Sequence, residues 1–356
     1  MYHFLAILAI ALSNLFFAYR LSPMKTNKQP FVSIMIPARN EQANIKKCLQ
    51  GVLNQTYKNY EVILMDDNSE DNTKKIAKSF KSKKLRIFSG LPLKKGWYGK
   101  SWACHQLSKK AKGKYYLYID ADVFLEPQAV ESAVALYQKE KASMLSCFPK
   151  QRIKTVGEWL IVPLFDFLAL AFLPLPLITK LKTPKLRLAI GQFILFDKET
   201  YKKINGHIAV KNKKTEDMFL AENVKRVGGK LIAARTPNLI RCRMYDGFLE
   251  SLKGLSRTFY EGTHLPPVVF VLAMLAFASV FILPFFLGGL TDPKFLLIII
   301  PLILIRIATS KLAFQSVIVN LILLPIHLIL TVLIGFNSLY LNITKQVIWK
   351  GRALDN

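Results

Sequence analysis

VSIMIPARNEQANIKKCLQGVLNQTYKNYEVILMDDNSEDNT, residues 32–73, decides the fold. VSIMI (32–36) and YEVILM (60–65) are short apolar runs of strand length, and each reads as a buried strand. The polar stretch between them, near 41–54, has helix-like spacing. LRIF (85–88) and YYLYI (115–119) repeat the strand pattern, with further helix-like segments near 70–81, 101–111 and 127–139. This alternation predicts right-handed βαβ units in a mainly parallel, Rossmann-like α/β sheet. No GxGxxG follows the first strand, which argues against a dinucleotide dehydrogenase.

Outside this region the chain is apolar. Residues 2–19 (YHFLAILAIALSNLFFAY) are just long enough to span a bilayer. No Lys or Arg precedes them, whereas Arg20, Lys25 and Lys28 follow. We therefore read a signal anchor, not a cleaved signal peptide, with the downstream domain in the cytoplasm. PPVVFVLAMLAFASVFILPFFLGGL (266–290) reads as a spanning segment. FLLIIIPLILI (295–305) continues it until Arg306 and Lys311 interrupt, and LAFQSVIVNLILLPIHLILTVLIGF (312–336) is another. The expected organisation is an N-terminal anchor (1–20), a globular domain (21–265), C-terminal transmembrane segments (266–344) and a basic tail (345–356), in a multi-pass cell-membrane protein. Three C-terminal crossings would put the basic tail outside, against the positive-inside rule, and that conflict stays open. WLIVPLFDFLALAFLPLPLI (159–178) contains Asp166 and three prolines. With the basic KLKTPKLR that follows, it reads as an interfacial segment over 159–187; a buried core helix is the plainer alternative.

Lys and Arg number 50 against 23 acidic residues, a formal +27, and mean hydropathy is +0.26. Such charge implies a polyanionic neighbour. Beside membrane segments that neighbour is anionic lipid, not nucleic acid, and the aromatic residues do not interleave with the basic runs as stacking platforms would. The four cysteines show no metal-ligand spacing and fit small core residues in a reduced compartment.

A doubly wound sheet binds ligands at the carboxyl ends of its strands. Arg39 and Glu41, in IPARNE (36–41), would sit there, as would Asp66 and Asp67 in MDDNSEDNT (65–73), where Ser69 or Asp71 can cap the next helix. DAD (120–122) ends the fourth strand, and two carboxylates so placed suit a hard divalent cation such as Mg2+ or Mn2+. Lys100, in GWYGKSWA (96–103), stands near a helix start that can receive phosphate. Asp217, in TED (215–217), is a candidate general base; helix-dipole complementation is the plainer reading. Arg243, in RCRMY (241–245), ends a probable strand and can pair with diphosphate oxygens.

Taken in series, IPARNE, MDDNSEDNT, YIDADV and TEDM resemble family 2 glycosyltransferases of the GT-A fold over roughly residues 31–245. WYGKSWACHQL, DADV and RMYDGFLESLKG look more narrowly like the bacterial carotenoid-acid (diaponeurosporenoate) type, and WYGKSWA also resembles hopanoid-associated members. The resemblance implies an inverting transfer from a nucleotide sugar, usually UDP-linked, to a lipid-like acceptor. It would place Pro37, Arg39, Glu41 and Asp67 around the nucleoside, Lys100 near the phosphates, and Asp120 at the ribose or metal. Asp122 would ligate the metal, Asp217 would be the base, Arg243 would hold the diphosphate, and Gly191 and Gln192 would border the acceptor. Processive members carry QxxRW, whereas this chain has RCRMY with no upstream Gln, which favours transfer of a single sugar. Two rivals remain: a polyprenyl-phosphate glycosyltransferase, and an inactive membrane-tethered nucleotide-sugar-binding protein.

Overall fold

The computed structural model describes residues 2–284 and 296–353. The chain divides into two units, Tyr19–Lys150 with Leu177–Arg243, and Met1–Ala18 with Gln151–Pro176 and Met244–Asn356.

The first unit is built on strands β1 (Tyr19–Arg20), β2 (Val32–Ala38), β3 (Tyr60–Asp66), β4 (Leu85–Ser89), β5 (Tyr115–Ile119), β6 (Val123–Leu125), β7 (Met144–Phe148), β8 (Lys150–Gln151), β9 (Phe193–Asp197), β10 (Leu231–Arg235) and β11 (Ile240–Cys242). Eight of them form one sheet in the order β1-β10-β7-β9-β5-β2-β3-β4. Every residue of β3 and β5 is buried, as expected of strands covered on both faces. The edge strand β4 is only partly buried. Four of the strands read from sequence are β2 to β5, which pair in parallel as β5-β2-β3-β4, and the probable strand at RCRMY is β11. β9 departs from the βαβ expectation, running antiparallel to both β5 and β7.

This topology places the site. From β2 the chain winds outward to β3 and β4, then returns to lay β5 on the other side of β2. Strand order therefore reverses between β2 and β5, the crevice where open α/β sheets hold ligands. Ala38 pairs with Asp66, and Met35 with Tyr118, so IPARNE, MDDN and DAD all emerge at the carboxyl edge. β6, β11 and β8 form a separate three-stranded sheet in that order, with β11 antiparallel to β6.

The second unit is helical, comprising Tyr2–Phe17, Val156–Phe172, Gly247–Thr263, Pro267–Phe277, Leu296–Leu312, Val317–Ile322 and Leu324–Ile343. Thr155 caps the Val156–Phe172 helix, its hydroxyl accepting from the Glu158 N–H (3.2 Å), while Glu158 Oε2 reaches back to accept from the Lys154 N–H (2.7 Å). Asp166, whose charge argues against a span, lies inside this helix and accepts from Gln315 Nε2 at 2.8 Å. Phe4, Phe167, Ala171, Phe281, Ile305 and Leu328 share one apolar core. Arg306 interrupts no helix. It sits within Leu296–Leu312, buried, donating to Asn320 Oδ1 (2.9 Å) and meeting His327 Nδ1 at 2.8 Å.

Among the described residues one helix, Leu324–Ile343, is by itself long and apolar enough to cross a membrane. Tyr2–Phe17 has 16 residues and falls short. The segment at 266–290 opens as a helix bent by 112° from Gly247–Thr263, and its last residues, 285–290, lie outside the described residues, as does the start of 295–305.

Candidate active site

The loops after β2 and β3 clasp each other. Each offers the other the groups that a turn leaves open, so two short polar loops hold one geometry. The Arg39 guanidinium donates through Nη1 to the carbonyls of Asp67 (2.9 Å) and Asn68 (2.6 Å), and Nη2 pairs with Glu70 (2.9 Å). The Asn40 N–H reaches the Ser69 hydroxyl at 3.0 Å, and the Glu41 N–H reaches the Thr73 hydroxyl at 2.7 Å. Asp71 serves both loops, Oδ2 accepting from the Gln42 N–H (3.0 Å) and Oδ1 from the Thr73 N–H (2.9 Å). Asp71 is therefore more than the helix cap read from sequence, and Ser69 caps nothing: its hydroxyl holds Asn40. Asp67 is buried behind this clasp, its N–H donating to the Ala38 carbonyl at 2.8 Å.

At the end of β5 a three-residue ion cluster joins distant segments. Lys100 Nζ lies 2.8 Å from Asp120 Oδ1 and 3.1 Å from Glu216 Oε1. Lys100 belongs to the helix Gly99–Lys110, and Glu216 opens the helix Glu216–Arg226. Burial disfavours the ammonium, but the Asp120 and Glu216 carboxylates override it and hold its pKa well above the usual lysine value. The group expected to meet phosphate is thus already engaged by two carboxylates. Glu216 was missed in the sequence; its only signal is its place beside Asp217 in TED.

Asp217 follows at once. Its Oδ2 accepts from the Gly191 N–H at 2.7 Å and its Oδ1 from the Met218 N–H at 2.8 Å. Burial foremost, then the neighbouring Glu216, push its carboxyl up to about 7, against the partial relief of Lys100 and the two N–H donors. A Cβ at position 191 would lie 2.6 Å from Lys100 Nζ and 3.5 Å from Asp217 Oδ2, so any side chain there would displace the Lys100 ammonium. Pro37, Lys100, Asp120, Gly191, His207 and Glu216 are among the residues that line one small cavity. His207 is buried and bonded through Nδ1 to the Tyr201 hydroxyl (2.8 Å); burial, with Lys100 nearby, lowers its pKa to about 3, so it is neutral.

Asp122 and Gln192 sit on the other side of Asp120. The Asp120 N–H donates to the Gln192 carbonyl at 3.3 Å, and Gln192 Nε2 reaches Cys242 Sγ at 3.1 Å. Asp122 Oδ1 is buried and has no hydrogen-bond partner among the described residues, while the Cys242 thiol bonds the same carboxyl. Burial, then Asp120 and Glu41, hold the Asp122 carboxyl well above the usual carboxylate range. A buried, under-satisfied oxygen amid like charges is the environment a divalent cation relieves. Among the described residues, however, no group of three or more His, Cys, Asp or Glu is arranged to hold an ion unaided. Arg243, expected near the diphosphate, follows β11 directly and is partly buried.

Residues 33–205 match the Glycosyl transferase family 2 model. The chain is 36% identical over 120 residues to 4,4'-diaponeurosporenoate glycosyltransferase of Staphylococcus aureus strain USA300, and equally to that of strain NCTC 8325. The match covers 33% of this chain and spans only 31% of the relative's length. Over almost its whole length the chain shares the fold of a mannosyltransferase, PcManGT of Pyrobaculum calidifontis, solved in complex with GDP-Man and Mn2+. The TM-score is 0.59 with 15% identity, covering 96% of this chain and 94% of that one. The sheet is thus the mixed α/β sheet of a GT-A-like fold, and residues 33–205, just under half of the chain, are similar to the family 2 glycosyltransferases.

Proposed function

We propose that the protein is a membrane-bound, inverting glycosyltransferase that moves one sugar from a nucleotide sugar to a lipid-like acceptor, at the cytoplasmic face. The observation that carries this reading is the junction at Gly191. There the donor-side pair Lys100–Asp120 and the acid Asp217 meet within a side chain's width.

In this reading the clasped loops hold the nucleoside, with Pro37, Arg39, Glu41 and Asp67 around it. A rigid pocket retains the donor with little ordering cost. Asp120 and Asp122 would hold a divalent cation together with diphosphate oxygens, since the protein's own acids are too few to complete a coordination shell. When bound, such an ion neutralises charge on the departing nucleoside diphosphate. Arg243 would add charge-assisted hydrogen bonds to the same group. Asp217 accepts the proton of an acceptor hydroxyl as its oxygen attacks the anomeric carbon from the face opposite the leaving group. A base with pKa near 7 suits that task at neutral pH. Gly191 and Gln192 border the acceptor.

The solved neighbour's bound GDP-Man and Mn2+ support a nucleotide-sugar donor and a divalent cation, and a UDP-linked donor rests on the family resemblance alone. The relatives' name points to a carotenoid acid as acceptor, a form of the proposal in which the carboxylate is already ionised and Asp217 has no proton to accept. Membrane attachment is supported by the apolar helix Leu324–Ile343 and by the many large apolar side chains exposed on the helical unit. Purified protein in lipid nanodiscs, given UDP- and GDP-hexoses with Mg2+ or Mn2+, should release nucleoside diphosphate in a lipid-dependent way. Lipids from cells with and without the gene should differ by one hexosylated species in mass spectrometry. Donor binding without any turnover would leave a nucleotide-sugar-binding protein instead.

A further inference from the structure

Residues 72–119 contain 14 Lys and Arg and no Asp or Glu. This one stretch supplies about half of the molecule's excess positive charge. Within it, LPLKKGW (91–97) is exposed at the tips of both Leu91 and Leu93, and Lys94 and Lys95 between them and Trp97 are exposed too.

The segment is fixed in place. Trp102 Nε1 donates to the carbonyls of Leu91 (3.3 Å) and Pro92 (3.1 Å), and the Leu91 N–H donates to Gln106 Oε1 at 2.8 Å. Trp97 packs edge-on to Trp102 with ring centroids 5.0 Å apart, and His105 lies 5.1 Å from Trp97 and 5.8 Å from Trp102. The Tyr98 N–H donates to the Lys211 carbonyl at 2.7 Å, which brings a second basic segment, KNKK (211–214), alongside. Both ends of the segment are thus tied down while leucine side chains point outward: Leu91 is 61% exposed.

Neither solubility nor the reaction explains this combination. Lysines alone would suit any polyanion. Outward leucines beside a half-buried indole pair suit a phase with a charged surface and an apolar interior. We propose that residues 91–97 form a membrane-docking surface, with Leu91, Leu93 and Trp97 seated in the interfacial layer and Lys94 and Lys95 on anionic headgroups. Each lysine near such a surface adds electrostatic attraction that fades within a Debye length. The segment leads directly into Gly99 and Lys100, so docking here would present the cluster at Lys100 to an acceptor dissolved in the same leaflet. The proposal rests on the membrane reading above.

The test uses the full chain in nanodiscs of phosphatidylcholine alone or with phosphatidylglycerol. The four native cysteines are buried, so Leu91→Cys gives one accessible site for an environment-sensitive fluorophore, with labelled native protein as the control. In anionic discs we expect a blue-shifted emission quenched by spin-labelled lipid, and a quenching loss of threefold or more in Lys94→Glu/Lys95→Glu. A probe that stays water-exposed while the protein is in the disc overturns the docking surface and leaves the membrane reading standing. Equal quenching in neutral discs, insensitive to the two glutamates, overturns the anionic-lipid assignment. A probe that answers to an added oligonucleotide and not to lipid assigns the surface to nucleic acid. Protein that neither enters discs nor floats with vesicles sinks both readings. Circular dichroism of each variant confirms that the fold is retained.

Discussion

Asp217 is asked to do two things that oppose each other. As a base it must be ionised, yet its site favours the proton, holding the carboxyl at about 7 by burial and by Glu216. The acid limb of kcat should therefore fall near pH 7 in native protein. Glu216→Gln should move that limb to lower pH, because the repelling charge is gone. Asp217→Asn should lower kcat by about two orders of magnitude or more with little change in donor binding. Near-normal kcat in that variant would retire the base and favour an acceptor already ionised, such as a carboxylic acid. Stability supplies an independent readout. An aspartate with a raised native pKa binds its proton more tightly folded than unfolded. The stability this adds is full below the unfolded value near 4 and is lost as pH rises through the folded value near 7. Asp217→Asn should be insensitive to that loss, so its melting temperature should gain on the native protein between pH 5 and 8. Lys100 gives the converse case. Lys100→Met leaves Asp120 and Glu216 facing each other without their cation. The Lys100 and Asp120 side chains keep about a quarter of their exposure, so the cost should fall below the range for a fully buried pair, at about 2 kcal/mol. Adding Glu216→Gln should recover part of it, and a double-mutant cycle by denaturant unfolding measures the coupling.

Among the elements, the clasp between the loops after β2 and β3 shows what a sequence discloses and what it withholds. The strands themselves were legible. VSIMI and YEVILM are apolar at nearly every position because both faces are covered, and composition records burial on both faces directly. The acids at their tips were legible too, since strand ends in such a sheet converge on one edge. Partnerships were not. Asp71 reads as a local helix cap, and only the fold brings the Gln42 N–H to its second oxygen. Lys100 and Glu216 lie on helices far apart in sequence, and no periodicity announces their meeting. β9 was unread because a lone antiparallel strand breaks the alternation from which the others were inferred. Arg306 looked like a helix interruption because hydropathy counts a charge as exposed, whereas Asn320 and His327 satisfy it within the helical unit. The clasp itself can be tested. Asp71→Ala removes acceptors for two backbone N–H groups and should cost about 1–2 kcal/mol. It should also raise the donor KM more than it lowers kcat, because a loosened pocket loses uniform binding. Equal loss in both constants would mean that the loops do more than hold the nucleoside.

For the whole molecule, the open question is what covers the apolar surface of the helical unit. Leu333, in the middle of Leu324–Ile343, is 59% exposed, and Ile326, Tyr340 and Ile343 on the same helix are exposed as well. Water and lipid make opposite demands on such a position. If water lies there, Leu333→Arg is a surface substitution, changing stability by no more than about 0.5 kcal/mol and improving solubility. If hydrocarbon lies there, an arginine at mid-helix costs about 2.5–3.5 kcal/mol of insertion free energy. We expect native protein to stay in the membrane pellet through a 1 M salt wash, where the Debye length is about 3 Å and surface charge no longer holds it. We expect Leu333→Arg to lower the pelleted fraction severalfold and to leave the melting transition of the catalytic unit unchanged. Pairing the two measurements matters, because a basic protein also sediments with anionic membranes through charge alone. Salt separates that charge-held population, and the arginine then reports on the remainder. If salt alone releases the native protein, or if Leu333→Arg pellets like the native chain after the wash, Leu324–Ile343 is not held in lipid and the membrane-bound form of the proposal falls.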